Sequence, residues 1–443
     1  MAENKDKKIL NVPNKREITP NQFDTAEHKE VRLKRNVPNL RFKEFEGEWK
    51  RYKVSDLLDF YSTNSLSWDK LEYKSNNIMN LHYGLIHVGL PTMVDLSKDK
   101  LPTIIDDYVP RNYELCKEGD IVFADASEDT NEVAKAIEFY SLNGKNVVCG
   151  LHTIHGRDNN KTVVGFKGYA FASTSFHHQI RRIAQGTKVF SISTKNFSEC
   201  YIGIPTKEEQ RKIADFLRLI DERIATQNKI IDKLESLIKG LNDTLYAQYG
   251  SVQSTSFAEL GDSYSGLSGK SADDFGKGKP FITYLNVYSN NIINEKEYQY
   301  VSIEEGEKQN KVKYGDVLFT LSSETPNEVG IGAVYLGEDE VYLNSFCFGI
   351  HIENKKLTYS PYLSFYISST PFRKFIYPFA QGSTRFNLCK ADFEKAKIQL
   401  PTLENQKRIY SILNSLTLKA ETEKNILKQY ELQKQRLLRQ MFI

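Results

Sequence analysis

The chain repeats itself, and that repetition limits its architecture more than any other feature. Pro205-Thr206-Lys207-Glu208-Glu209-Gln210-Arg211-Lys212-Ile213 returns as Pro401-Thr402-Leu403-Glu404-Asn405-Gln406-Lys407-Arg408-Ile409, an offset of 196 residues (205 to 401). Each copy opens a long stretch of helical periodicity. Ile213, Leu217, Ile220, Ile224, Ile231, Leu234, Ile238, Leu241 and Leu245 recur in steps of four and three, with polar Gln227 in one slot. The second copy carries Ile409, Leu413, Leu416, Ala420, Leu427, Tyr430, Leu437 and Met441, with Glu423 and Lys434 in the remaining slots. Such spacing is a coiled-coil seam rather than the broader stripe of a surface helix. Two matching helices in one chain can bury each other's seam, so an internal antiparallel pair is predicted, each rod about 40 residues and roughly 60 Å long. Gln227 and Glu423 are equivalent by the offset, and an antiparallel pairing places them in neighbouring layers, where polar groups cost stability and set register.

The stretches before the helices repeat too. Gly119-Asp120-Ile121-Val122-Phe123 answers to Gly315-Asp316-Val317-Leu318-Phe319 at the same offset. Ser127-Glu128 with Asn131-Glu132-Val133 answers to Ser323-Glu324 with Asn327-Glu328-Val329, and Ala184-Gln185-Gly186 to Ala380-Gln381-Gly382. Between these anchors the halves diverge, most plainly over 64–115 against 268–312. Short β-rich runs at 121–123, 146–148 and 162–166 alternate with Gly, Asn and Asp turns, as in a mixed α/β domain. The predicted fold class is α+β: a tandem duplication of a mixed α/β domain plus a long helix, the two helices packing as an antiparallel coiled coil. The predicted boundaries are a polar, disordered extension at 1–35, a first domain at 36–204, a first spacer helix at 205–249, a second domain with its linker at 250–400, and a second spacer helix at 401–443.

Several chemistries are disfavoured by the residues present. Gly269-Lys270-Ser271 resembles the end of a phosphate-binding loop, but Tyr264 stands where the earlier glycine is needed. His152, His155, His177 and His178 have no carboxylate or cysteine at ligand spacing, and are expected to be surface or core residues without counterparts in the second half. Asp392-Phe393-Glu394-Lys395 superficially resembles a nuclease cluster, yet sits on the approach to the second helix. No Asn-Pro-Pro-Tyr or Asp-Pro-Pro-Tyr tetrapeptide of amino-methyltransferases occurs. The five cysteines, at 116, 149, 200, 347 and 389, form no Cys-x-x-Cys pair. That indicates neither a disulfide framework nor a zinc site, and suits a reducing cytoplasm. No apolar run approaches a membrane span. No catalytic residue and no metal are therefore expected.

What remains are polar loops suited to nucleic acid. Arg and Gln match guanine and adenine edges, while Ser and Thr suit phosphate oxygens. In the first half the candidates are Ser127, Asn131, Gln179, Arg181, Arg182, Gln185, Thr187 and Lys188. In the second they are Ser322, Ser323, Asn327, Gln381, Ser383, Thr384 and Arg385. The net charge of +3 neither supports nor opposes this, because a near-neutral total can hide local basic surface. An Ala-Gln-Gly turn present in both halves is as readily a structural cap, so specific base readout is expected from the divergent parts.

A duplicated domain-plus-helix unit with Pro-Thr-x-Glu-x-Gln-x-(Lys/Arg)-Ile at each helix start resembles the specificity subunit of type I restriction–modification enzymes. Val37-Pro38-Asn39-Leu40-Arg41-Phe42 with Gly47-Glu48-Trp49, the Gly-Asp-φ-φ-Phe strand and the Gln-Gly-Ser-Thr-Arg loop carry the same likeness. The resemblance spans 36–443; the 1–35 extension and the Gln-Gly-Thr-Lys loop of the first half depart from it. It implies a non-catalytic, DNA-binding subunit whose two target recognition domains each read half of a bipartite, asymmetric site in double-stranded DNA. The paired helices would fix the spacer and dock two modification (methyltransferase) subunits. No cofactor is implied on this chain: S-adenosylmethionine belongs to the modification subunits, and ATP with Mg to the restriction subunits. The alternative is a coiled-coil scaffold with two tandem protein-binding domains.

Overall fold

The computed structural model describes residues 36–73, 78–249 and 252–443; the 1–35 extension and the start of the 250–278 linker region lie outside the described residues. The periodic stretches form helices of 43 residues (Lys207–Tyr249) and 38 residues (Leu403–Gln440), about 65 and 57 Å at 1.5 Å per residue. The chain divides into two compact units, one running to Arg223 and joined by Tyr430–Ile443, the other spanning Ile224–Gln429.

In the first unit, Ile213, Leu217, Ile220, Leu437 and Met441 of the seam are buried and Tyr430 is half-buried. Lys434 reaches Asp221 at 2.6 Å, and Asp221 also accepts from the Tyr169 hydroxyl at 2.8 Å. In the second unit, Gln227, Ile231, Ile409, Leu413, Ala420 and Glu423 are buried. Ile224, Leu234, Ile238, Leu241, Leu245, Leu416 and Leu427 are half-buried there. The two helices run antiparallel, and the polar layer closes on itself: Gln227 Nε2 donates to the Glu423 carbonyl at 3.1 Å and to its carboxylate, which also takes the Lys419 ammonium.

The repeated helix-opening phrase has a structural reason. Gln210 is buried and uses both ends of its amide. Its Nε2 donates to the Pro205 and Lys161 carbonyls at 2.9 and 3.2 Å, and its Oε1 accepts from Val163 N at 2.9 Å. Gln406 does the same with the Pro401 and Leu357 carbonyls and Tyr359 N, all at 2.8–2.9 Å. Each glutamine thus fastens a spine helix to its globular domain through main-chain atoms, with the Thr358 hydroxyl adding a 3.3 Å bond to Gln406 Oε1. Glu209 adds a second anchor in the first unit only. Fully buried, it accepts two 2.7 Å bonds from Arg41 and one of 3.2 Å from Trp49 Nε1, which explains the Leu-Arg-Phe and Glu-Trp segments ahead of the domain.

Each globular domain is built on a shared four-stranded antiparallel core, to which the first domain adds a parallel edge strand. In the first, strands Leu58–Tyr61, Thr153–Asp158, Ile121–Ala124, Ala136–Ser141 and Met93–Asp95 lie in that order. In the second, Gly261–Ser265, Cys347–Ile352, Val317–Thr320 and Gly332–Val334 repeat the first four. The strands Ile121–Ala124 and Ala136–Ser141 keep the 196 offset, while Thr153–Asp158 answers to its counterpart at 194. The first strand and the short helix before it (Val54–Leu57 against Phe257–Leu260) are offset by 203, so the first domain carries seven more residues in its divergent segment. One predicted strand is absent. Residues 162–166 form a turn leading into helix Lys167–Phe171, because the Val163 amide goes to Gln210 and the Gly165 amide to Glu138.

Candidate nucleic-acid interface

The repeated Gly-Asp of the core strand places a buried carboxylate beside a histidine on the next strand. Asp120 Oδ2 lies 2.7 Å from His155 Nε2, and Asp316 lies 2.9 Å from His351 Nδ1. Tyr61 packs on the first imidazole and Tyr264 stacks on the second, at 5.3 and 4.2 Å between centroids. The two histidines reach equivalent carboxylates from different strand positions: the register aligns His155 with Gly349, and His351 with Arg157. Their surroundings differ. Burial alone would raise Asp120, but hydrogen bonds from His155 and Arg157 outweigh it and hold the carboxyl below its usual range. In the second domain His351 itself takes the place of Arg157, and burial lifts Asp316. The shared pair therefore ties two core strands together rather than forming a reactive centre.

Beside this core, each domain carries a short ladder that gathers the predicted polar loops. Phe190–Ser191 pairs with Ala126–Ser127, and Phe386–Leu388 pairs with Ser322–Ser323. The hairpin tip between Gln185 and Ser191 has the same register as that between Gln381 and Asn387. Gly186 and Gly382 sit at φ 139° and 140°, and a β-carbon there would strike the carbonyl oxygens of Val189 and Arg385. Both halves keep Gln-Gly because the turn closes too tightly for any side chain. The residues it presents are free to differ: Gln185, Thr187 and Lys188 are exposed in one tip, and Gln381, Ser383, Thr384 and Arg385 in the other.

Other candidates have different employment. Gln179 spends both ends of its amide on the Tyr201 backbone, at 2.7 and 2.8 Å, so it braces a helix against the closing strand instead of facing a base. Ser322 and Ser323 are buried, and Ser323 Oγ accepts from Thr325 N at 3.3 Å. Ser127 Oγ accepts from Asp129 N at 3.1 Å in the same manner, so the repeated Ser-Glu is a turn-former. Asn131 and Arg181 are exposed and joined at 2.9 Å, Arg182 is exposed nearby, and the Asn327 carbonyl accepts from Arg373 at 2.8 Å. The look-alike loop at 269–271 is also structural: Lys270 pairs with Glu307 at 2.6 Å, and Ser271 forms a capping box with Asp274.

Two basic grooves escaped the sequence reading. In the first unit, Asn131, His177, Arg181, Gln435, Arg436 and Arg439 line a cleft of about 690 Å³ between the domain and the spine; burial holds His177 below its usual pKa. In the second, Lys239, Asn327, Thr370, Arg373, Lys374 and Tyr377 line one of about 500 Å³. Asn131 and Asn327, His177 and Arg373, and Lys239 and Gln435 are all 196 apart, so the groove is duplicated with the helices exchanged. Applying the offset to helix residues outside the seam would have revealed it. The divergent segments present large side chains to solvent: Trp68, Tyr73, Tyr108 and Tyr113 in the first domain, Phe275 and Tyr300 in the second. Exposed aromatics beside basic grooves suit contact with bases and phosphates.

The sequence profile described as the type I restriction modification DNA specificity domain matches residues 46–236 and again 257–432. The chain belongs to that family. It is a DNA sequence-specificity subunit, and its share of the work of a type I system is recognition rather than catalysis. The fold of this specificity subunit is like that of the type I restriction–modification S subunit from M. genitalium, with TM-score 0.52 at 16% identity over 92% of this chain and 99% of that one. A second structure, described as the structural basis underlying complex assembly and conformational transition of the type I R-M system, gives TM-score 0.57 at 15% identity over 90% and 98%. Among the described residues no helix is long and apolar enough to cross a membrane.

Proposed function

We propose that this specificity subunit reads a bipartite, asymmetric site in double-stranded DNA, one half per recognition domain. The observation that carries the reading is a common frame with unlike faces. The Asp–His pair, the serine turn and the glycine hairpin recur, while segments 64–115 and 268–312 share neither length nor sequence. The hairpin tips and basic grooves would hold phosphates, which position without specifying, and the divergent segments would meet base edges. The spine would set the distance between half-sites, on the order of one DNA turn, roughly 34 Å. It would also dock two modification subunits bearing S-adenosylmethionine, with restriction subunits bearing ATP and Mg completing the assembly. Cysteines without disulfide partners support work in the reducing cytoplasm.

The test exchanges residues 50–203 for those of a relative and maps methylated adenines in cells supplying the modification subunits. Change in one half-site with the other and the spacer retained supports the reading. Change in both, or in neither, refutes it. A protein-binding scaffold would show no salt-sensitive, sequence-dependent affinity for DNA.

A further inference from the structure

Cys116, Cys149 and His155 are distant in sequence, yet folding brings them together in the first recognition domain. The two sulfurs lie 3.4 Å apart, and a ring nitrogen of His155 falls within 4.8 Å of both. All three side chains are buried, His155 completely. They are placed by backbone pairing: Cys116 N donates to the Val147 carbonyl at 2.8 Å, and Cys149 ends the strand Val147–Cys149.

The histidine is held in an unusual way. Its Nε2 is fixed by Asp120, and its Nδ1 is a buried polar atom with no hydrogen-bond partner. The second domain has none of the three. There the register of the strands sets Gly349 at the position of His155, and Val312 and Leu343 at those of Cys116 and Cys149. The unpaired nitrogen and the sulfur pair therefore occur together in one domain and are both missing from the other.

We propose that Cys116 Sγ, Cys149 Sγ and His155 Nδ1 bind a thiophilic divalent metal ion of the zinc class. Two thiolates about 2.3 Å from a tetrahedral zinc stand about 3.8 Å apart, so the observed pair needs to open by only a few tenths of an ångström. Asp120 on the far nitrogen is the carboxylate–histidine arrangement that fixes the tautomer of a metal-binding imidazole. Binding releases one proton from each thiol, so two thiolates and a neutral imidazole balance the dication. A fourth position would fall to water from the adjoining cavity of about 390 Å³, which Cys149 lines. That cavity is walled by Asn64, Leu66, Tyr108 and Tyr113 of the divergent segment, and Asn64 already donates to the Cys149 carbonyl at 2.9 Å. The ion would staple the variable face of this domain to its core.

The experiment uses the full-length chain purified under reductant without chelators. Its metal content is measured by mass spectrometry, and cobalt(II) is titrated into the metal-depleted chain. One zinc per chain is expected, with thiolate-to-cobalt charge transfer and visible bands of tetrahedral coordination. Cys116→Ser and Cys149→Ser should each lower metal occupancy at least about tenfold, and Cys389→Ser should leave it unchanged. Should either serine variant misfold, the melting temperature of the unaltered chain before and after chelation supplies the reading: a fall reversed by zinc is expected. A metal-free chain that takes up no cobalt, or metal that survives both substitutions, overturns the proposal. Neither measurement involves DNA, so the result stands apart from the recognition reading.

Discussion

Glu138 and Lys167 form an ion pair at 3.0 Å in the core of the first domain, with side chains 0% and 2% exposed. The carboxylate also accepts the amides of Gly165 and Gly168 at 2.9 and 2.8 Å. The duplication has already made the apolar substitute. At the 196 offset stand Val334 and Leu363, both buried, and Pro361 replaces Gly165, removing one of the amides that would need a partner. The perturbation is therefore Glu138→Val, Lys167→Leu and their combination. Glu138→Val leaves a buried lysine unpaired and two amides orphaned. The double variant orphans the same amides but removes the charge, so the two variants differ by the cost of an isolated buried ion, about 3–5 kcal/mol. The double variant should thus be the more stable of the two by roughly two to four powers of ten in equilibrium constant. Denaturant unfolding followed by tryptophan fluorescence suits the comparison, because the only two tryptophans, Trp49 and Trp68, report on the first unit. If the two substitutions add to within about 0.5 kcal/mol, the pair is not coupled and the reasoning fails.

Gly382→Ala should strain the hairpin by about 1–3 kcal/mol and weaken DNA binding, with the tryptophan-reported melt of the first unit unchanged; unaltered affinity would remove the hairpin from the interface. Lengthening the first spine helix by four residues adds about 6 Å, close to two base pairs, and should shift the preferred spacer while both half-sites persist in methylation maps. Glu307 is held down to about 2, from 4.5, chiefly by its hydrogen bond with Lys270. A carboxyl depressed in the folded state stabilises above its unfolded value and loses that contribution as pH falls through the folded one. The melting-temperature gap between the native chain and Lys270→Met should then be full at neutral pH and close between 4.5 and about 2; a gap independent of pH would show that Lys270 acts by packing alone.

The spine was legible because its signal is local: a seam such as Ile213, Leu217 and Ile220 declares itself within a few turns. The duplication was legible for the same reason at each anchor. What escaped depends on segments meeting across the chain. Ser323 suits a phosphate oxygen by type, yet its hydroxyl closes a turn, and Gln179 suits a base edge, yet its amide is spent on Tyr201. The β-rich run at 162–166 failed as a strand because Gln210 and Glu138, remote in sequence, claim its amides. Cys116 and Cys149 stand 33 positions apart, a spacing that carries no metal signature by itself. The basic grooves join a domain helix to spine residues far along the chain, such as Arg181 with Arg436.

The glutamine clasps of Gln210 and Gln406 have a consequence for inheritance. Because each grips chiefly carbonyls and amides that every polypeptide owns, a foreign globe arriving with its own Pro-Thr and glutamine would seat with little compensating change. Two junctions built to one plan make such exchange structurally permissible. One exchange would deliver a new half-specificity already fitted, leaving the rods and whatever grips them untouched.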